Sequence, residues 1–152
     1  MGDTDMLHYF AFGSNMDTYR MLERVGYIPE SMPGILRGWR LVFNKKARDG
    51  NSGYANIVRD PGGEVQGAVY RVTWADIDVL DGYEGYPAHY DRKEIQLLAN
   101  TEMISAVVYI AAPEMICNDL KPTRDYLNHL LAGKEYLTPS YCMLLEHVAT
   151  AD

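Results

Sequence analysis

The chain has 152 residues, 47% apolar and 23% charged, which predicts one globular domain over residues 1–152 with enough interior to need neither disulfides nor metal. Its net charge of −7 argues against a nucleic-acid partner and against anionic membrane surfaces. No apolar run approaches the ~18 residues that a membrane span needs. Residues 1–5 hold two acids and no basic residue, so no secretory leader is expected there. Cys117 and Cys142 are far apart and read as free thiols of a reducing, cytoplasmic compartment.

Residues 6–12 (MLHYFAF) form a short aromatic run ending at Gly13 and predict a buried strand. Residues 16–25 carry Met16, Tyr19, Leu22 and Val25 at steps of three, predicting a helix with those residues inward and Asn15 as N-cap. Residues 39–43, 54–58 and 65–72 read as strands, the last two paired as a hairpin by Asp60-Pro61-Gly62-Gly63. Thr73 and Asp76 form a capping box for a helix that buries Trp74, Ile77 and Leu80 and stops near Gly82. Two more strands follow at 90–98 and 103–111. Thr123 caps a helix that buries Tyr126, Leu127, Leu130 and Leu131 and closes at Gly133. Thr138, with Pro139 at the first helical position, opens a last helix whose Tyr141, Leu144, Leu145 and Val148 share a face. The order predicts an α+β fold: a small mixed, mostly antiparallel β-barrel flanked by helices.

Phosphate-binding glycine motifs and a nucleophile-elbow serine are absent. The histidines at 8, 89, 129 and 147 lack metal-ligand spacing and read as structural or surface residues. Two segments carry chemistry. Tyr9 to Met16 runs from a strand through a Gly-Ser-Asn turn into a helix N-terminus, where exposed N–H groups attract anions. The same residues would equally serve as a plain turn and cap. In Leu80 to Tyr90, Glu84 sits between two glycines and among tyrosines, surroundings that raise a carboxyl's pKa toward useful proton transfer. A solvated glutamate in a loop that ends a helix is the plain alternative.

Together, YFAFGSNM and LDGYEGYP-x-x-Y resemble the γ-glutamylcyclotransferase family, which includes γ-glutamylamine cyclotransferases and AIG2-like proteins. PGILRGWRLVF, GGEVQGAVYRVTWADIDVLDGYEG and LTPSYCMLLEHV extend the likeness over nearly the whole chain. One departure is Phe12, where the family usually has tyrosine.

The resemblance implies release of 5-oxoproline from a small γ-glutamyl compound by attack of its own α-amine, without metal or organic cofactor. It implies Glu84 as the catalytic acid–base. Substrate contacts are then expected from Tyr9, Phe10, Ala11, Phe12, Gly13, Ser14, Asn15, Tyr90 and Tyr141. A non-catalytic ligand-binding or regulatory domain on the same barrel is the alternative. The leaving amine and the oligomeric state stay open.

Overall fold

A computed structural model describes residues 6–152; the leader reading falls on residues 1–5, outside the described residues. Five strands close into a barrel in the order β1-β3-β2-β4-β5. They are β1 (Met6–Ala11), β2 (Ser31–Lys46), β3 (Gly53–Thr73), β4 (Tyr90–Ala99) and β5 (Glu102–Ala111). Neighbours pair antiparallel except β1 with β5, which are parallel through Tyr9 and Val107. The expected mixed, mostly antiparallel barrel with helices is therefore the fold.

The expected hairpin across Asp60–Gly63 does not form. Residues 54–58 and 65–72 belong to one long strand, β3, and both halves pair with β2. Arg37 pairs with Glu64 and Trp39 with Arg59, so Asp60 to Gly63 bulge out opposite Gly38, whose φ is +89°. Proline has no N–H to give the ladder, and turn residues accommodate a bulge as readily as a reversal. The chain reverses instead at 47–52, where Gly50 has φ +75° and Asp49 Oδ1 accepts from the N–H groups of Asn51 and Ser52.

Alternation along β1 splits the interior in two. Phe10 and Phe12 join Leu36, Ile57, Val69 and Val108 in a cluster whose buried members lie on or next to strands. Tyr9 and Ala11 face a second cluster that ties the sheet to the helices through Met21, Leu80, Leu127 and Leu145.

Helix α1 (Thr18–Val25) is capped by Asp17, whose carboxylate accepts from Tyr19 N, and not by Asn15. Residues Ser14–Met16 first make a single 3₁₀ turn. Of the expected inward face, Met16 is buried and Val25 half-buried, but Tyr19 is 74% exposed and Leu22 38%, and Met21 points inward instead. Steps of three fall about 60° short of a full turn, so four such residues spread over half the helix.

Helix α2 (Trp74–Glu84) has the expected capping box and buries Ile77 and Leu80, but Trp74 is largely exposed. It passes through Gly82 and ends at Gly85, φ +68°. An interior glycine costs a helix only about 1 kcal/mol, whereas a glycine in the left-handed region terminates it. Glu84 is thus a helical residue rather than a loop residue.

Helices α3 (Arg124–Leu131) and α4 (Pro139–Glu146) have the expected threonine caps. Leu127, Leu130, Tyr141 and Leu145 are buried, Tyr126 and Leu131 are half-buried, and Leu144 faces solvent.

The α2 cap gives a stability test. Thr73→Ala is expected to lower the unfolding free energy by about 1 kcal/mol in urea titration, and Thr73→Ser to preserve most of it. An unchanged midpoint for the alanine variant would show that the box does not hold the helix.

Candidate active site

Gly13, two residues past the end of β1, lies in a tight place: a Cβ there would lie 3.1 Å from Ala55 Cβ and 3.2 Å from Tyr126 Oη. The chain then turns, with Met16 N donating to Gly13 O. Asn15 is buried and organises the turn. Its Nδ2 donates to Tyr9 Oη at 2.9 Å, its Oδ1 accepts from Arg24 at 2.9 Å, and its carbonyl accepts from Tyr70 at 2.7 Å. Because Tyr9 Oη accepts from Asn15, its own hydrogen is left to donate elsewhere.

The opposite wall comes from β3, β4 and α3. Tyr126 Oη accepts from Ala55 N at 3.0 Å, and Tyr90 donates to Ala55 O at 2.8 Å. Tyr54 stacks on Tyr126 with centroids 4.8 Å apart. Two tyrosines therefore satisfy the backbone of one residue and fix the strand beside Gly13.

Glu84 closes the space as the last residue of α2. Asp81, one turn earlier, pairs with Arg92 and accepts from Tyr109 at 2.7 Å, which fastens this end of the helix to β4 and β5. Among the described residues, nothing hydrogen-bonds or ion-pairs with the Glu84 carboxylate. Burial pushes its pKa above the usual carboxylate range, while Arg24, Lys45 and Arg20 pull it down without cancelling that rise. A helix C-terminus also carries partial negative charge, which disfavours a carboxylate further. In turn, burial and the Glu84 charge push Tyr9, Tyr90, Tyr109 and Tyr126 up, so these phenols stay protonated.

These groups line a cavity of about 420 Å³. Of the residues expected at the site, Glu84, Tyr9, Phe10, Phe12, Gly13, Ser14, Asn15 and Tyr90 border it. Ala11 and Tyr141 do not. Ala11 shares the face of Tyr9 but is buried in the core beside its strand partner Ala68. Tyr141 follows α4 into the core, and its buried hydroxyl has no hydrogen-bond partner among the described residues. That helix is pinned by Thr138 N donating to Gln66 Oε1 at 2.8 Å.

The cavity also holds groups that the sequence reading missed. Arg20, Arg24, Lys45 and Arg48 reach it, against the two carboxylates of Glu84 and Asp125. An acidic chain thus builds a cationic cavity, which favours an anionic ligand. The spacing of four between Arg20 and Arg24 on α1 was a legible sign of a shared face. His89 and His129, expected to be structural or surface residues, also line it; His129 pairs with Asp17 at 2.8 Å. No group of three potential metal ligands occurs among the described residues.

Residues 9–129 match the family model described as gamma-glutamyl cyclotransferase, AIG2-like. No curated protein matches the chain. A solved structure named gamma-glutamyl cyclotransferase is similar with a TM-score of 0.87 at 22% identity, covering 97% of this chain and 90% of that one. An uncharacterized protein from Homo sapiens gives 0.84 at 23%, with the same coverage. A yeast gamma-glutamyl cyclotransferase specific to glutathione gives 0.65 at 14%, covering 93% and 94%. At these identities the structural likeness speaks for the fold.

The Glu84 environment has a consequence for stability. A carboxyl whose pKa is raised by folding binds its proton more tightly in the native state. The Glu84 contribution to stability therefore falls as pH rises through the ordinary carboxylate range toward the raised value. Glu84→Gln is expected to unfold at a higher urea concentration than wild type at pH 7. The gap should close as pH falls below the ordinary carboxylate range. A variant that is less stable at pH 7 would show that the folded protein favours the ionised carboxylate.

Proposed function

The chain belongs to the gamma-glutamyl cyclotransferase, AIG2-like family, and on that premise we propose that it releases 5-oxoproline and a free amine or amino acid from a γ-glutamyl compound. The observation that carries this reading is the Glu84 carboxylate, which borders the cavity with no protein partner among the described residues.

The nucleophile is the substrate's own α-amine, so the protein's main task is to hold the glutamyl chain folded for closure of a five-membered ring. The α-carboxylate needs an anion site. The backbone N–H groups of the Gly13-Ser14-Asn15 turn supply donors, and Arg24, hydrogen-bonded to Asn15, supplies charge beside them. The α-ammonium must lose a proton before it attacks. An α-ammonium beside a carboxylate is a far weaker acid than a carboxyl, so a carboxyl with a raised pKa takes that proton less steeply uphill than an ordinary one.

Attack on the γ-carbonyl places negative charge on its oxygen. A donor for it is the hydroxyl of Tyr9, whose hydrogen is not used within the protein. Collapse of this intermediate expels the amine, and Glu84 returns the proton to the departing nitrogen. One carboxyl thus acts first as base and then as acid. Phe12 lies in the wall next to Phe10, and its ring supplies an apolar surface where the family more often has a phenol.

Incubation with γ-glutamyl amino acids, γ-glutamyl amines and glutathione, with 5-oxoproline as the readout, tests the reaction. Glu84→Gln is expected to fold and to lose at least about 100-fold in kcat, because general acid–base steps contribute 10²–10⁴ each. Retention of more than about a tenth of the wild-type rate would remove Glu84 from the chemistry.

A further inference from the structure

Lys45 is 3% exposed and borders the cavity. Its nitrogen stands 5.5 Å from the ring centres of both Tyr54 and Tyr90, which belong to the same cavity wall. It donates to Lys46 O at 2.8 Å and lies 2.9 Å from His89 Nδ1. While Lys45 is an ammonium, that contact needs His89 Nδ1 as acceptor, with the histidine neutral and its proton on Nε2.

The donor count suits a neutral amine. An ammonium has three N–H groups, and these two contacts leave one without a partner among the described residues. A neutral amine has two, both taken by the same acceptors, and its lone pair is left for the cavity. Lys45 makes no ion pair among the described residues. A lysine buried without an anion is costly in its charged form. Burial pulls its pKa down; Glu84 opposes that without cancelling it, and Arg48 adds to the fall. Desolvation in a pocket and a neighbouring cation are both means of turning a lysine into a nucleophile.

The charge of the cavity selects what that nucleophile meets. Arg20 and Arg48 border it and make no hydrogen bond or ion pair among the described residues. A small anion is therefore drawn in and kept.

We propose that the Lys45 amine, held between Tyr54, Tyr90 and His89, forms a reversible imine with small aldehydes that carry a carboxylate. The nitrogen lone pair bonds to the carbonyl carbon. Both amine protons pass by way of His89 Nδ1 to the carbonyl oxygen, which leaves as water. No oxidant or reductant enters, and hydrolysis restores the amine. The step is independent of the reaction assigned to Glu84.

Glyoxylate is the probe, with cyanoborohydride to reduce each imine to a stable secondary amine and peptide mass mapping to read it at every lysine. Lys46, Lys93, Lys121 and Lys134 are exposed and serve as internal references. At pH 7 Lys45 is expected to be labelled at least about tenfold faster than any of them, one unit of pKa being tenfold in free amine. Glycolaldehyde, of similar size but neutral, should lower that ratio at least about threefold. In Lys45→Arg, which keeps the charge but forms no imine, the fast labelling should vanish while the reference lysines keep their rates. Labelling of Lys45 no faster than that of the exposed lysines overturns the proposal, whether or not the arginine variant folds. Fast labelling that survives in a folded Lys45→Arg also overturns it. An equal ratio with glycolaldehyde overturns the requirement for a carboxylate. All of these readouts are separate from 5-oxoproline formation, so the cyclotransferase reading stands or falls on its own assay.

Discussion

A carboxylate at the C-terminal end of a helix, inside a cavity and without a hydrogen-bond donor among the described residues, is the constraint around which this protein is arranged. Burial and the helix dipole both disfavour the charge on Glu84. Three cations reduce that penalty from a distance, yet among the described residues none pairs with it directly. Such a group holds its position only because the helix does. Its first turn is closed by Thr73 and Asp76, and Asp76 also accepts from Tyr27 at 2.6 Å. Its last turn is tied down through Asp81, and Gly85 leaves the helix in the one backbone region that stops it cleanly.

The rest of the cavity comes from elements far apart in the chain. Lys45 and Tyr54 are cross-strand partners near the tip of the long β2–β3 ribbon. Ala55, next along, has both its backbone groups taken by tyrosines from β4 and α3. β1 and the turn after it bring Tyr9, Gly13 and Asn15 against that tip, and Arg24 of α1 locks the turn from behind. Closing the sheet into a barrel is what lets the first strand and the ribbon tip face Glu84 together.

Local chemistry was legible in the sequence, and long-range pairing was not. The caps at Thr73, Thr123 and Thr138 depend on residues three apart, and all three are present. β1, β4 and β5 end where apolar runs end. Asp60-Pro61-Gly62-Gly63 misled because only the distant partner strand decides whether such residues reverse a chain or bulge from it. Trp74 and Tyr19 misled because a large apolar side chain on a short helix need not face the core. Glu84 and the 9–15 turn stood out through two motifs read together, whereas neither was decisive alone. Lys45 had no signal at all: a lysine near the end of a strand ordinarily faces water, and only the fold places this one between the Tyr54 and Tyr90 rings and His89.

The account is tested most directly by a crystal structure of the protein with 5-oxoproline. It predicts the product carboxylate on the backbone N–H groups of Gly13 to Asn15, beside Arg24. It also predicts the lactam nitrogen within hydrogen-bond distance of Glu84, because that nitrogen is the former α-amine. Product seated away from the 9–15 turn, or with its ring nitrogen facing away from Glu84, would contradict the assignment of this carboxyl as the group that moves the proton.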